Sequence, residues 1–148
     1  MGNMDETMRS AISIIHNSLG TVSKISNKIK TEAWGPIEQA PFLNIAIEVK
    51  TIFSPQLVLN KILSIEQKLG RKRFKKYGPR TIDIDILFFS NRIISTERLI
   101  VPHPQIQFRN FALIPCNEII PNFTHPGLNK KIKVLLNESQ DNLNVKEI

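Results

Sequence analysis

The chain has 148 residues, a length that fits one domain with a core that needs neither disulfides nor a structural metal. Its single cysteine, Cys116, excludes an internal disulfide, and its three histidines show no zinc-ligand spacing, which suits a reducing cytoplasm. The formal net charge is +7, and the surplus lies in a central loop, which favours one anionic partner held at one place. No signal peptide or membrane span is predicted. We therefore expect a soluble, cytoplasmic, single-domain protein over residues 1–148, with a polar, frayed tail from about residue 137.

Two amphipathic helices are predicted in the first half of the chain. The first covers residues 5–19 and ends before Gly20, with an apolar stripe made by Met8, Ala11, Ile12, Ile15 and Leu19. The second covers residues 55–69, with Ser54 as N-cap and Pro55 at the first helical position. Its stripe comprises Leu57, Ile62, Ile65 and Leu69, and Gly70 is expected to end it.

Strands are predicted between and after these helices. Residues 21–31 alternate as a Lys-rich edge strand, residues 32–41 are a Gly- and Pro-rich loop, and residues 42–50 are a second strand. Residues 81–89 form a third strand, and residues 92–94 pair back on it after a turn. Short helices are expected at residues 109–118 and 128–136. This order predicts an α+β fold, such as a ferredoxin-like plait, although a plait begins with a strand.

The segment Gly70–Phe89 carries the strongest chemical signal. Six of the ten residues 71–80 are Lys or Arg, and Asp83 and Asp85 follow in an apolar run. On a strand the two carboxylates share one face, roughly 7 Å apart, and Ile82, Ile84 and Ile86 share the other. Such a pair needs a cation or open water, and Mg²⁺ takes carboxylates together with substrate phosphate oxygens. The alternative is an exposed sheet face whose acids pair with nearby Lys.

A second group combines aromatic rings with an amide: Trp34, Phe42, Asn44 and Phe111. Phe42 and Asn44 share one face of their strand, and a ring beside an amide edge suits a flat heterocycle. The alternative is that both phenylalanines belong to the core. His103, in the turn V-P-H-P, is either structural or a donor to phosphate, and we assign no role to His16 and His125.

The motif R-K-R-F-K-K-Y-G-P-R-T-I-D-I-D-I-L, followed by E-R-L-I-V-P-H-P and R-N-F-A-L-I-P, closely resembles the 6-hydroxymethyl-7,8-dihydropterin pyrophosphokinase family. The similarity runs from about Gly2 to Leu136. The resemblance implies a ferredoxin-like α+β fold and transfer of the β,γ-pyrophosphoryl group of ATP to the pterin hydroxymethyl oxygen with two Mg²⁺. It also implies a monomeric enzyme whose partners are ATP and the pterin and which binds neither nucleic acid nor membrane.

Site residues follow from the resemblance position by position. Asp83 and Asp85 match the metal ligands, and Arg71 and Arg80 match arginines that assist transfer. The ATP contacts would be Glu66, Arg73, Tyr77, Ile86, Arg98, His103 and Arg109. The pterin pocket would comprise Thr31, Trp34, Phe42, Asn44 and Phe111. Tyr77 stands where many members carry Trp, which keeps an aromatic ring.

The start of the chain departs from the family pattern. Members open with a strand and a Gly-Ser or Gly-Asn pair, whereas this chain begins Met1-Gly2-Asn3, with Asn3 at the end of that motif. In a plait that strand is central and neighbours the strand with the two aspartates, so its loss would expose two ladder edges. We therefore expect the given start to be internal to the natural chain, or the chain to be truncated.

Two further functions compete with the kinase hypothesis. One is a folded but inactive family member that lacks the first strand. The other is a small basic nucleic-acid-binding module that stacks bases on Phe74 and Tyr77, although Asp83 and Asp85 would then repel phosphate.

Overall fold

The computed structural model describes residues 2–31, 42–71, 82–140 and 145–147. Its helices are α1 (Gly2–Ser18), α2 (Pro55–Arg71), α3 (Asn110–Ile119) and α4 (Ile132–Glu138), with a short 3-10 helix at Ile106–Phe108. Its strands are β1 (Thr21–Ile25), β2 (Ile29–Thr31), β3 (Phe42–Asn44), β4 (Ile47–Lys50), β5 (Ile94–Ser95), β6 (Ile100–Val101) and β7 (Val145–Glu147). The α+β class is confirmed. Of the helices in these ranges, none is long and apolar enough to cross a membrane.

The chain divides into two compact units. The first comprises Met1–Ser23 and Val49–Ile86, and the second comprises Lys24–Glu48 and Leu87–Ile148. The first unit holds both long helices, and the second holds β2, β3, α3 and α4. The strands β1 and β4 pair with each other in a two-stranded sheet.

The core of the first unit is made by the apolar stripes of α1 and α2, which pack against each other. The buried side chains are Met8, Ala11, Ile15, Leu19, Val58, Ile62, Ile65 and Leu69. The prediction of Leu57 in the second stripe is wrong, because Leu57 is 41% exposed and Val58 is buried instead. Positions 58, 62, 65 and 69 keep the three- and four-residue spacing of one helix face, which position 57 breaks.

Local signals predicted the start of α2 correctly and its end incorrectly. The cap is confirmed, since the Leu57 N–H donates to Ser54 Oγ at 3.3 Å and the Val58 N–H donates to the Ser54 carbonyl at 2.9 Å. The helix continues through Gly70 to Arg71, so the expected stop at Gly70 is wrong. A glycine costs a helix only about 1 kcal/mol, which burial of the neighbouring Leu69 can offset.

Gly20 lies where α1 has ended and the chain turns into β1. A Cβ atom built on Gly20 would overlap the Lys50 carbonyl oxygen and lie 3.0 Å from the Thr51 Cα. Next to it, the Thr51 hydroxyl donates to the Leu19 carbonyl at 2.7 Å. The end of α1 therefore touches the backbone at the end of β4 so closely that only glycine fits.

The two long predicted strands are each broken in the middle. Residues 21–31 split into β1 and β2, and residues 42–50 split into β3 and β4. The breaks face each other, because the Ser26 N–H donates to the Ala46 carbonyl while the Ala46 N–H donates to Ser26 Oγ, both at 2.9 Å. A side-chain hydroxyl thus replaces one ladder partner at this point.

The three-stranded sheet of the second unit has the order β3-β2-β7, with both pairs antiparallel. Ile29 lies opposite Asn44 and Thr31 lies opposite Phe42. The expectation of an edge strand is therefore wrong for β2, which has a partner on each side. The expectation of a frayed tail is wrong for β7, because pairing with β2 orders a polar segment that its own sequence would not.

The strand predicted for residues 81–89 is not assigned as a strand at residues 82–89. A strand needs a ladder partner, and no sheet among the described residues includes this segment. The segment at 92–94 does not pair back on it; β5 pairs forward with β6, with Ile94 opposite Val101. The helix predicted at 109–118 is confirmed as α3, and the one predicted at 128–136 forms only from Ile132.

The core of the second unit surrounds α3 and α4. Its buried residues are Ala46, Ile106, Leu113, Cys116, Ile132 and Leu135, and Leu87, Phe88 and Phe123 pack against them. His125 closes this core, with its ring edge-to-face on Phe88 at 5.7 Å between centroids. His125 Nδ1 accepts hydrogen bonds from the N–H groups of Gly127 and Leu128, at 3.0 and 2.9 Å.

Replacing Gly20 with Ala should lower the free energy of unfolding by about 1–3 kcal/mol, the usual cost of overpacking. The added methyl would overlap the Lys50 carbonyl oxygen, which belongs to the backbone and cannot rotate away. Urea denaturation checks this. The control is the separate variant Ser13→Ala, at an exposed position of α1, which should change stability little. Equal midpoints for Gly20→Ala and wild type would contradict the close contact.

The stability of the protein should also depend on the ionisation of His125. Burial lowers the pKa of His125 below its ordinary value of 6.5, because the charged ring would lose water. Its neutral form therefore contributes stability that is fully present above pH 6.5 and is lost as the pH falls below 6.5. Thermal denaturation between pH 7.5 and 5 measures this slope.

The matched variant is His125→Asn, whose side-chain oxygen can accept the same backbone N–H bonds without titrating. Its absolute stability will be lower because the side chain is smaller. Its pH slope should nevertheless be shallower than that of wild type between pH 6.5 and 5. Identical slopes in the two proteins would exclude His125 as the titrating group.

Candidate functional site

Asp83 and Asp85 keep the alternation that the sequence predicts, although their segment has no ladder. Both aspartates are exposed, whereas Ile82, Ile84 and Ile86 are half-buried. The alternation needs only a locally extended backbone, since successive side chains then point to opposite sides. The two carboxylates therefore lie on the solvent side of one short segment, where a cation can reach them.

The backbone between the aspartates is held by a side chain of α2. The Ile84 N–H donates to Glu66 Oε2 at 2.6 Å, a short hydrogen bond to a charged acceptor. Glu66 itself is half-buried and follows the buried residue Ile65 on the same helix. The resemblance implies Glu66 as an ATP contact, and the structure shows that its carboxylate also accepts the backbone N–H between the two candidate metal ligands.

The chemistry of these donors fits a magnesium ion. Carboxylate oxygens are hard ligands, and Mg²⁺ is commonly held by one or two of them while phosphate and water oxygens complete its octahedron. Within the described ranges no group of three His, Cys, Asp or Glu residues could enclose a metal. A two-carboxylate site of this kind therefore depends on substrate oxygens for its remaining ligands, as metal-nucleotide sites do.

In the second unit, α3 packs against β2 and β3, and β3 carries Asn44. Asn44 and Phe111 are both half-buried. The Arg109 guanidinium carbon lies 5.6 Å from the centre of the Phe111 ring, within the range of a cation–π contact. An amide, a ring and a guanidinium thus belong to neighbouring elements of one unit.

His103 follows the cis peptide Val101–Pro102 and stands before the 3-10 helix. Its Nδ1 accepts a hydrogen bond from the Gln105 backbone N–H at 3.1 Å, and the backbone N–H of His103 donates to the Leu87 carbonyl at 2.9 Å. A neutral ring that accepts at Nδ1 carries its proton on Nε2, which is then a donor. This ring can therefore serve both predicted roles, as part of the turn and as a donor to a phosphate oxygen.

The remaining candidates contribute less. Arg98 is exposed in the turn between β5 and β6, and Ile86 is half-buried beside Asp85.

Cys116 is buried, and loss of water around the thiol raises its pKa to about 12. Since a thiolate is the reactive form, Cys116 does not supply a nucleophile at neutral pH.

Several predicted site residues lie outside what the structure describes. Trp34, Arg73, Tyr77 and Arg80 are not among the described residues, and neither are the loop at 32–41 and most of the cationic loop. For Thr31, Phe42 and Arg71 only the backbone is described. The register still places Thr31 directly opposite Phe42, so two of the proposed pterin residues occupy one cross-strand pair.

Two supporting residues were missed by the sequence reasoning. Ser26 is 5% exposed and holds Ala46, two positions after Asn44, through its hydroxyl. Glu118 accepts the Asn27 N–H with both carboxylate oxygens, at 2.6 and 3.1 Å, and so ties α3 to the start of β2. A serine between two apolar strand halves is a local signal for Ser26, whereas no local pattern indicates a contact between residues 27 and 118.

A small cavity lies beside this contact. Its volume is about 250 Å³, and it is lined by Asn27, Ile29, Ile114, Pro115, Asn117 and Glu118. Ligand pockets usually measure about 300–1,000 Å³, so this cavity is below the usual size for a heterocycle. None of its lining residues was predicted to bind substrate.

Comparison with known proteins gives one consistent family. A model described as "7,8-dihydro-6-hydroxymethylpterin-pyrophosphokinase (HPPK)" matches residues 1–121, which include every candidate site residue from Thr31 to Phe111. A 2-amino-4-hydroxy-6-hydroxymethyldihydropteridine pyrophosphokinase of Aquifex aeolicus is 44% identical over 112 residues, covering 76% of this chain and 70% of the relative. The protein of the same name from Bacillus subtilis is 42% identical over 120 residues, covering 80% and 72%. The one from Synechocystis is 38% identical over 117 residues, covering 79% and 60%.

Replacing Ser26 with Ala should lower the free energy of unfolding by about 1–3 kcal/mol, the cost of a buried donor left without a partner. The Ala46 N–H is the donor, and it sits at a position that is 9% exposed. Ser95→Ala, at an exposed strand position of the same unit, serves as the matched control and should change stability by less than about 0.5 kcal/mol. Urea denaturation of both variants measures the difference, and equal effects would contradict the role of the buried hydroxyl.

Proposed function

Because the chain belongs to the 7,8-dihydro-6-hydroxymethylpterin-pyrophosphokinase family, we propose that it transfers the pyrophosphoryl group of ATP to 6-hydroxymethyl-7,8-dihydropterin in folate biosynthesis. The products are AMP and the pterin diphosphate. The observation that carries the proposal is the exposed pair Asp83 and Asp85, set on one side of a segment that lies within the matched family region.

The metal site is assigned to these two carboxylates. Bound Mg²⁺, for which we propose two ions, would screen the triphosphate charge and polarise the phosphorus that is attacked. Asp83 and Asp85 would hold it from the protein side. Their exposure supports this, since a metal that takes phosphate and water oxygens needs ligands that face an open space.

Cationic residues are proposed to bind the triphosphate and offset the charge that develops during transfer. Arg71 and Arg80 would act on the transferred group and the departing AMP. The Nε2–H of His103 fits a phosphate oxygen, because Nδ1 is already bonded to the Gln105 N–H. The other ATP contacts that we propose are Arg73, Tyr77, Ile86, Arg98 and Arg109; for Glu66, the hydrogen bond from the Ile84 N–H supports a different role.

The pterin is proposed to bind in the second unit. Phe42 and Phe111 would stack on its rings, and Asn44 would bond its amide edge, with Thr31 and Trp34 completing the pocket. Packing of α3 against β3 supports the pairing of Phe111 with Asn44. The pterin hydroxymethyl oxygen then attacks the β-phosphorus while the bond from that phosphorus to the α,β-bridging oxygen breaks, and AMP leaves. The hydroxyl proton passes to solvent, so a protein base is not required.

Several finer statements belong to the same proposal. The sheet would follow the ferredoxin-like plait. Residues 1–148 would act as a single pyrophosphokinase domain, working as a monomer in the cytoplasm. ATP and the dihydropterin would be its partners, without nucleic acid or membrane.

Replacing Asp85 with Ala should lower the rate of AMP formation by at least about 100-fold, the usual effect of removing one group that stabilises transition-state charge. Pterin binding, followed by fluorescence, should be largely retained because the proposed pocket does not include Asp85. The measurement is AMP formed from ATP and Mg²⁺ in the presence of the dihydropterin.

Glu97→Ala is the matched control, since it also removes one exposed carboxylate but lies in the turn after β5. Its turnover should equal that of wild type. Unchanged turnover in Asp85→Ala would overturn the metal assignment. Absence of AMP formation by wild type would instead favour the folded but inactive alternative.

A further inference from the structure

Glu66 is joined to the peptide between the two candidate metal ligands, and this contact suggests a role different from ATP binding. We propose that Glu66 is a positioning residue: its carboxylate holds the Ile84 N–H and thereby fixes the directions of the Asp83 and Asp85 side chains. This inference rests on the proposed function, because it assigns a second residue to the same magnesium site.

The hydrogen bond acts at the right place in the backbone. The Ile84 N–H belongs to the peptide unit that links Asp83 to Ile84, and it lies 2.6 Å from Glu66 Oε2. Since a peptide unit is planar, fixing its N–H restricts the backbone torsions on both of its sides. Those torsions set the angle between the Asp83 and Asp85 side chains, and therefore the distance between the two carboxylates.

Glu66 can impose this restriction because α2 is firmly packed. Ile62, Ile65 and Leu69, which surround Glu66 on the helix, are each at most 5% exposed. An extended segment is usually held by hydrogen bonds to a neighbouring strand. Residues 82–89 have no such partner, since they belong to none of the sheets found in the described part of the chain. A carboxylate on a packed helix thus takes the place of a neighbouring strand at Ile84.

Geometry distinguishes positioning from direct ligation. Over the described residues, no group of three His, Cys, Asp or Glu side chains could hold a metal, so Glu66 does not form a ligand triad with Asp83 and Asp85. Glu66 is also half-buried, whereas both aspartates are exposed. Residues that orient metal ligands commonly contribute about 10- to 100-fold to metal affinity or activity.

The first test is amide hydrogen exchange of Ile84, measured by NMR on the metal-free protein. Glu66→Ala and Glu66→Asp should raise the exchange rate by about 10- to 100-fold, because one removes the acceptor and the other shortens its reach. Glu66→Gln keeps an oxygen at the same distance and should change the rate least. Gln67 is an exposed neighbour of Glu66 with a side chain of equal length. In Gln67→Ala the Ile84 amide should exchange at the wild-type rate.

The second test measures Mn²⁺ affinity by electron paramagnetic resonance in the presence of a non-hydrolysable ATP analogue, together with the Michaelis constant for ATP at saturating Mg²⁺. Positioning predicts about 10- to 100-fold weaker Mn²⁺ binding in Glu66→Ala and Glu66→Asp, near-normal binding in Glu66→Gln, and a Michaelis constant for ATP that changes little.

Three results would overturn the inference. One is unchanged Ile84 exchange in Glu66→Ala, and another is a Glu66→Gln variant as impaired as Glu66→Ala. The third is a raised Michaelis constant for ATP with normal Mn²⁺ binding, which would make Glu66 a direct nucleotide contact. Failure of the proposed function is separable, since it would show as wild-type protein that forms no AMP while the exchange results stand.

Discussion

The backbone of residues 82–89 has to satisfy its hydrogen-bonding groups without a strand ladder, and two of the residues that do so are candidate site residues. At Ile84 the N–H is taken by the Glu66 carboxylate, and at Leu87 the carbonyl is taken by the His103 N–H. Each of these bonds joins the segment to a residue implicated in nucleotide or metal binding. Buried or half-buried backbone groups are rarely left unpaired, so such bonds are structural requirements.

The electrostatics of the site follow from the same segment. Two exposed carboxylates on one side of a short backbone repel each other, and the repulsion is relieved by a cation. A third carboxylate, that of Glu66, uses one of its oxygens to accept the Ile84 N–H between the pair. In the proposed site, Asp83 and Asp85 would therefore offer two ligands to a magnesium ion and leave its other positions to phosphate and water.

Sequence patterns predicted the features that depend on one element alone. The faces of α1 and α2, the Ser54 cap and the opposite burial of the aspartates and isoleucines all follow from spacing, because a period of 3.6 or 2 is fixed by local geometry. The prediction for Leu57 failed because Leu57 and Ile62 are five residues apart, a spacing that does not belong to one helix face. Local signals at Gly70 failed for a related reason, since tertiary burial of Leu69 outweighs the propensity of one glycine.

Features that depend on a partner far away in the chain were not predictable. The Ser26 hydroxyl meets the Ala46 N–H across 20 residues, and Glu66 meets Ile84 across 18. The strand β7 exists through its pairing with β2, and its own polar sequence indicates a tail. In each case the deciding interaction is a single hydrogen bond or a ladder whose partner carries no matching local pattern.

The segment with the two aspartates shows why a wrong strand prediction can still assign side chains to the correct side of a segment. Alternation of apolar and charged residues reports that the backbone is extended and that one side is covered, and it contains no information about a ladder partner. The metal-binding argument used only the sides on which Asp83 and Asp85 lie, and those sides are as expected. At Ile84 the segment is held by the Glu66 carboxylate of α2.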